Sequence, residues 1–328
     1  MQQTISLPLD SDTLVEYRNW DDLRQELAFL GCDGVEGIWG GEALPEAIPP
    51  DLCLGYHLLF YPDWLDFYRD DRRALIRKFG SLDVAARFYG GLGPETLLRQ
   101  YREDLERAAC LGARYVVFHV SDISIEEGYT YRWLHTHREV IDAAVEAVNL
   151  LLDGQDWPFE FLVENQWWPG FTFTEPEETA RLLEGIHFQR TGILLDVGHL
   201  MNTAVELRTQ AEGAAYTAEM LDRHGSLAGR VRGVHLHYSL SGSYVKDSIG
   251  ALPAELAEDY WERFEDSYGH VLRIDQHLPW TEPAILPVLE RIAPSYLTHE
   301  LSSRSRADRR AAAAIQVDLL RQGGLDHA

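Results

Sequence analysis

Phe159-Glu-Phe-Leu-Val-Glu164-Asn165 and Gly192-Ile-Leu-Leu-Asp196-Val-Gly-His199 decide how this chain is read. Each begins as a short apolar run and each run stops on a carboxylate. Between them, Thr174-Glu-Pro-Glu-Glu supplies a cap, a proline in a first turn and acids near the positive end of a helix over Glu175–Glu184. Strand, helix, strand in that order is a parallel β-α-β unit.

The same alternation runs outward to both ends. The pattern predicts eight strands, at Thr4–Leu9, Gly34–Ile38, Asp51–His57, Arg114–His119, Phe159–Glu164, Gly192–Asp196, Val231–His237 and Ser295–Glu300. Helical stretches separate them, at Trp20–Leu30, Glu95–Leu111, His135–Leu152, Glu175–Glu184, Ala204–His224 and Arg306–Gln322. Gly112 stops one helix just before a strand, as a C-terminal glycine should. Eight strands with helical crossovers close into a (β/α)8 TIM barrel. The chain has 328 residues, 45% of them apolar, which suits one such α/β domain over 1–328. The longest insertions, Phe60–Pro94 and Ser239–Pro294, follow strands three and seven and are expected over the C-terminal face.

No apolar run reaches membrane-spanning length, and the N-terminal Met-Gln-Gln-Thr lacks the basic and apolar segments of a signal peptide. Cys32, Cys53 and Cys110 are expected to be reduced and buried. A cytoplasmic protein is the resulting expectation. With 53 acidic against 29 basic residues the net charge is -24, which repels phosphate backbones at long range. The basic cluster from Arg304 to Arg310 reads as a solvated helix face. Nucleic acid and membrane are therefore not expected as partners. A small-molecule substrate is expected, and a homo-oligomer is left open.

The strand ends carry the chemistry. Strands three to eight end at His57, His119, Glu164, Asp196, His235 or His237, and Glu300. Side chains alternate along a strand. In Tyr115-Val-Val-Phe-His119, Tyr115, Val117 and His119 therefore share a side. In Tyr296-Leu-Thr-His-Glu300, Glu300 shares its side with Tyr296 and Thr298, and His299 points to the helices. His199 and the loop segment Asp275-Gln-His277 add three more donors. A His-carboxylate set of this kind suits divalent zinc, manganese, cobalt, iron or magnesium, one to three ions in number. Without a cation, Glu164, Asp196, Asp275 and Glu300 would repel one another in a desolvated pocket. Aromatic residues crowd the same face: Trp64, Phe67, Trp167, Trp168, Phe171 and Trp280. They read either as loop packing or as a wall that stacks on a cyclic substrate.

At these residues the chain resembles the xylose isomerase-like superfamily of TIM barrels, which includes sugar isomerases and epimerases and the apurinic endonuclease IV family. The resemblance covers nearly the whole chain. Its anchors are Phe161-Leu-Val-Glu164-Asn165, Leu194-Leu-Asp196-Val-Gly-His199, Gly233-Val-His235-Leu and Asp275-Gln-His277-Leu-Pro279. The epimerase branch implies one metal on Glu164, Asp196, His235 and Glu300, with the two glutamates moving a proton and His199 touching substrate. The endonuclease branch implies three zinc ions on His57, His119, Glu164, Asp196, His199, His235, Asp275, His277 and Glu300. The chain departs from both. His235-Leu-His237-Tyr238-Ser239 replaces the Lys or Asn and Asp that follow the strand-seven histidine in relatives, and the epimerases' nearby Arg is missing. His237 shares parity with His235, so it can supplement the ligands or face substrate.

The leading expectation is a metal-dependent isomerase, epimerase or related lyase. It would act on a small sugar-like or cyclic substrate by proton transfer next to a carbonyl, with Glu164 and Glu300 as base and acid. Trp167, Trp168, Trp280 and His237 would line the substrate. The alternatives are a multinuclear zinc phosphodiesterase, a metal-dependent oxygenase on the same barrel, and a non-catalytic binding protein.

Overall fold

A computed structural model describes residues 1–41 and 48–325. Eight parallel strands close into a barrel in chain order. They are β1 (Gln2–Leu9), β2 (Gly34–Trp39), β3 (Cys53–His57), β4 (Tyr115–His119), β5 (Glu160–Glu164), β6 (Thr191–Asp196), β7 (Val231–His235) and β8 (Tyr296–His299). Closure is made by β1 on β8, with Gln2 opposite Tyr296 and Ile5 opposite His299. All eight expected strands are present, and the differences lie at their ends.

β7 stops at His235 rather than His237 because the chain leaves the ladder there. Leu236 N–H still donates to Thr298 O at 2.9 Å, but Tyr238 then exchanges backbone hydrogen bonds with Leu278. Glu300 likewise lies one residue past β8. The helix expected from Ala204 starts at Gln210, since the Thr209 side chain caps Glu212 N–H and Glu212 reaches back in a capping box. Thr136 and Glu139 do the same for His137–Leu152. Cys110 is exposed at the end of the helix Pro94–Cys110, against expectation; Cys32 and Cys53 are buried and free. Among the described residues no helix is long and apolar enough to cross a membrane.

Inside the barrel, Tyr115, Val117, Leu162, Leu194 and Tyr296 fill the space under the C-terminal mouth. Tyr115 needs the glycine opposite it, since a Cβ on Gly55 would lie 2.2 Å from its ring. His299 faces outward, as parity requires, and is buried between Gln3 Oε1 at 3.0 Å and Gln316 Nε2 at 2.8 Å.

The insertion after β3 is tied down by buried charge. Lys78 Nζ lies 2.7 Å from both Asp63 and Asp66. Asp122, after β4, accepts the N–H groups of Trp64 and Leu65 at 2.8 Å. Trp64 Nε1 donates to Ser121 O, and Asp122 N–H donates to Pro169 O after β5. Three consecutive loops are thus clamped over one side of the mouth. Trp64, Phe67 and Phe171 belong to the main core there, so for these three the loop-packing reading holds.

Candidate metal centre

Every strand from β3 to β7 brings its last residue to one cluster, and Glu300 joins from just beyond β8. The donors fall into overlapping sets, and within each set the donor atoms lie within 4.8 Å of one another. The first is His57, His119 and Glu164. The second is Glu164, Asp196 and His235. The third is His199, His237, Asp275 and His277, and a fourth joins Asp196, His237 and Glu300. Glu164, Asp196 and His237 are each shared by two sets, so these three side chains link neighbouring sets.

The contacts give the geometry. Glu164 Oε2 is 3.3 Å from His57 Nε2 and 3.0 Å from His119 Nε2. Its other oxygen is 3.0 Å from His199 Nδ1 and 3.7 Å from His235 Nδ1. His235 Nδ1 also lies 2.8 Å from Glu300 Oε2 and 3.5 Å from Asp196 Oδ2. Asp275 Oδ2 takes His199 Nε2 at 3.1 Å and His277 Nε2 at 2.5 Å. Local chain geometry supports these positions. Asp196 caps the short helix Val197–Asn202, accepting His199 N–H at 2.6 Å. Asn165 brackets the Asp196 backbone, receiving its N–H at 2.8 Å and donating to its carbonyl at 2.9 Å.

Glu164 Oε2, Glu300 Oε2, His237 Nδ1 and both nitrogens of His235 are buried without an aligned hydrogen bond, although several approach a partner within 3.0 Å. Within the donor sets, lone pairs that converge at short range without hydrogen-bond alignment are what a cation bound at a common point would satisfy. The residues present therefore fit divalent cations. Without one, charge must be balanced by protons. Burial opposes a charge on His199 and His235, but the carboxylates around them outweigh it and hold both imidazoles well above their ordinary value. His277 is pushed up to about 9, burial being outweighed by Asp275. Glu164 is held well below the usual carboxylate range, its burial outweighed by His119 and His235. His119 is the exception: burial dominates and lowers it.

All nine expected donors meet in one cluster. The side chains of His119, Glu300 and His277 keep 14–18% of their surface exposed, so they mark its open side. The substrate-side expectations divide. Trp167 sits against the His199 ring at 5.1 Å and against Trp168 at 4.2 Å. Trp280 does not line the site: it is fully buried in the main core, and its Nε1–H donates to His237 O at 2.8 Å from behind. His237 is also no substrate-facing residue. It is fully buried, 2.9 Å from Asp196 Oδ2, with its ring stacked on His277 at 4.0 Å.

Two neighbours were not anticipated. Gln166 Nε2 lies 2.9 Å from His199 Nδ1. Glu36 of β2 is fully buried beneath the cluster, its Oε1 2.8 Å from His235 Nε2. Glu36 shares strand parity with Gly34 and Ile38 rather than closing its strand, so a search of strand ends passes over it; a lone carboxylate inside an apolar strand was the available signal.

Among solved structures, endonuclease IV from Thermus thermophilus superposes with a TM-score of 0.53 at 16% identity, covering 98% of this chain and 100% of that one. A structure of the IOLI protein with a bound zinc atom gives 0.53 at 12% identity, covering 99% and 97%. An L-ribulose 3-epimerase gives 0.50 at 13% identity, covering 99% and 95%. At these identities the likeness is one of fold. Comparison with curated proteins finds no match. The family model for xylose isomerase-like TIM barrels matches residues 25–322, and the chain belongs to that family.

Proposed function

We propose that the chain is a multinuclear, divalent-metal-dependent hydrolase of a small phosphoester, with residues 1–328 acting as one domain. One observation carries this reading: the donors form several sets joined through Glu164, Asp196 and His237, not one set. A single-metal isomerase would use Glu164, Asp196, His235 and Glu300. With His199 facing substrate, it would still leave His57, His119, Asp275 and His277 clustered and largely desolvated without a metal to hold, which is costly.

His57, His119 and Glu164 would hold one ion, Glu164, Asp196, His235 and Glu300 a second, and His199, Asp275 and His277 a third. Bound divalent ions supply Lewis-acid stabilisation of phosphoryl charge and lower the pKa of water. In hydrolysis, water oxygen bonds to phosphorus, the ester P–O bond breaks, and the water's proton ends on the leaving alkoxide. We assign Glu300, on the open side, to take that proton first. Trp167 and Trp168 wall the cluster beside His199 and offer an apolar surface to the substrate's ester group. Among the described residues no Lys or Arg pairs with any donor, so substrate charge would be met by the ions alone.

The isomerase or epimerase reading stands second. It is favoured by Glu164 and Glu300 both reaching His235 Nδ1, at 3.7 and 2.8 Å, as an acid-base pair around one ion would. Metal content of the purified protein, paired with two assays, separates the readings. We expect more than one metal per chain and cleavage of bis(p-nitrophenyl) phosphate that is lost in Glu164→Gln. One metal per chain, with exchange of a carbon-bound proton of a ketose into solvent, would install the isomerase instead.

A further inference from the structure

Glu36 belongs to none of the donor sets, yet it is held with care. Its Oε2 accepts hydrogen bonds from Tyr115 Oη at 2.8 Å and Thr298 Oγ1 at 2.9 Å. Thr298 is itself engaged by Thr4 Oγ1 at 2.9 Å. These contacts come from β1, β4 and β8, so the carboxylate is fixed from across the barrel. Its remaining oxygen, Oε1, has no aligned hydrogen-bond partner and faces His235 Nε2 at 2.8 Å.

The two nitrogens of His235 therefore meet different surroundings. Nδ1 faces Glu300, Asp196 and Glu164, three carboxylates of the cluster. Nε2 faces Glu36. A neutral imidazole carries one ring proton, and the bond made at one nitrogen decides which atom carries it. Nδ1 faces into the donor cluster, whereas Nε2 faces an acceptor oxygen outside every donor set, so with an ion in the cluster the lone pair falls to Nδ1 and the ring proton to Nε2.

We infer that Glu36 is a positioning residue: it holds His235 in the Nε2–H form and so makes Nδ1 the donor to the second ion. This rests on the reading of His235 as a metal donor and adds what that reading lacks, the group that selects the tautomer. Carboxylates behind a ligating histidine orient the ring and raise its basicity, and their loss costs roughly 10–100-fold in metal affinity.

Glu36→Gln tests it. The amide keeps the volume and leaves a carbonyl for Tyr115 and Thr298, but it turns an N–H toward Nε2. The proton is then driven to Nδ1, where it blocks the metal. Full-length wild type and variant would be stripped of metal, titrated with Zn²⁺ against a competing chelator, and examined by ¹⁵N NMR with labelled histidine. We expect one zinc equivalent to weaken by roughly 10–100-fold in Glu36→Gln while the others hold. In zinc-loaded wild type, His235 should show a protonated Nε2 and a metal-shifted Nδ1. If the variant does not fold, the wild-type spectrum alone decides. Equal zinc affinity in a folded variant, or a proton on Nδ1 of the loaded wild type, overturns the inference and leaves the metal centre standing. Wild type that binds no zinc overturns both.

Discussion

His237 Nε2 lies 2.9 Å from Asp196 Oδ2, and the ring reaches it through space that Gly198 leaves open. A Cβ on residue 198 would sit 2.0 Å from His237 Cε1. Asp196 is thereby oriented from both sides, by His237 on one oxygen and by His199 N–H on the other. The glycine in Asp196-Val-Gly-His199 makes room for the His237 ring.

Gly198→Ala is therefore expected to displace His237 and release one side of Asp196. Overpacking of this kind costs about 1–3 kcal/mol. A thermal melt and a metal count on the same sample check it. The count should fall with the melting temperature, and a variant with unchanged metal content and stability would show that His237 moves freely.

Lys78 offers a second test, remote from the donors. Its ammonium is paired with Asp63 and Asp66, and all three side chains are about 8% exposed. Breaking a buried pair by removing one partner strands the others and costs roughly 3–5 kcal/mol. Lys78→Met should therefore destabilise strongly in urea titration, and adding Asp63→Asn to it should recover part of the loss. Because the same network ties down the loops after β3 and β4, proteolysis of Lys78→Met should begin in Phe60–Pro94.

Much of the site is legible in the sequence because the two-residue period of a strand fixes which side chains point inward. His57, His119, Glu164, Asp196 and His235 need only that rule and a strand end. Glu300 needs the rule carried one residue past the strand. What escapes are contacts made by the third dimension. Trp280 looks like a mouth residue in a loop, but its indole fits under the His237 carbonyl and is buried whole. Glu36 sits mid-strand, and only closure of the barrel brings β2 opposite β7 and puts its carboxylate at His235. Arg306–Gln322 reads correctly from periodicity, whereas the start of Gln210–His224 depends on the Thr209 cap.

His299 predicts an acid response. Burial lowers its imidazole to about 3, while an unfolded histidine titrates near 6.5. Between those values the unfolded chain binds a proton that the folded chain refuses. The stability contribution is thus full above about pH 6.5 and is lost as pH falls toward 3. His299→Gln can still reach Gln3 and Gln316 and carries no titratable group. The drop in urea midpoint between pH 7 and pH 5 should be smaller in that variant than in wild type. An equal drop would mean that His299 does not take part in acid unfolding.

The last prediction concerns the size of the substrate. A duplex would have to approach a chain of net charge -24. Bound cations offset part of that charge, but the insertions add little. Lys78 is buried with its aspartates. Arg69 lies 3.8 Å from Glu139, Arg72 lies 3.3 Å from Asp70, and Lys246 lies 2.6 Å from Glu206. Cations already paired on an exposed surface bring little to a phosphate backbone. At about 0.15 M salt, exposed charges more than about 8 Å apart are largely screened, so binding would need contacts at close range. We therefore expect no retention and no incision of abasic-site duplex by the metal-replete protein under those conditions, while bis(p-nitrophenyl) phosphate is cleaved in the same buffer. A gel assay with zinc or manganese present reads both DNA outcomes. Efficient incision would show that the open side at His119, His277 and Glu300 admits a long backbone, and the substrate would then be nucleic acid.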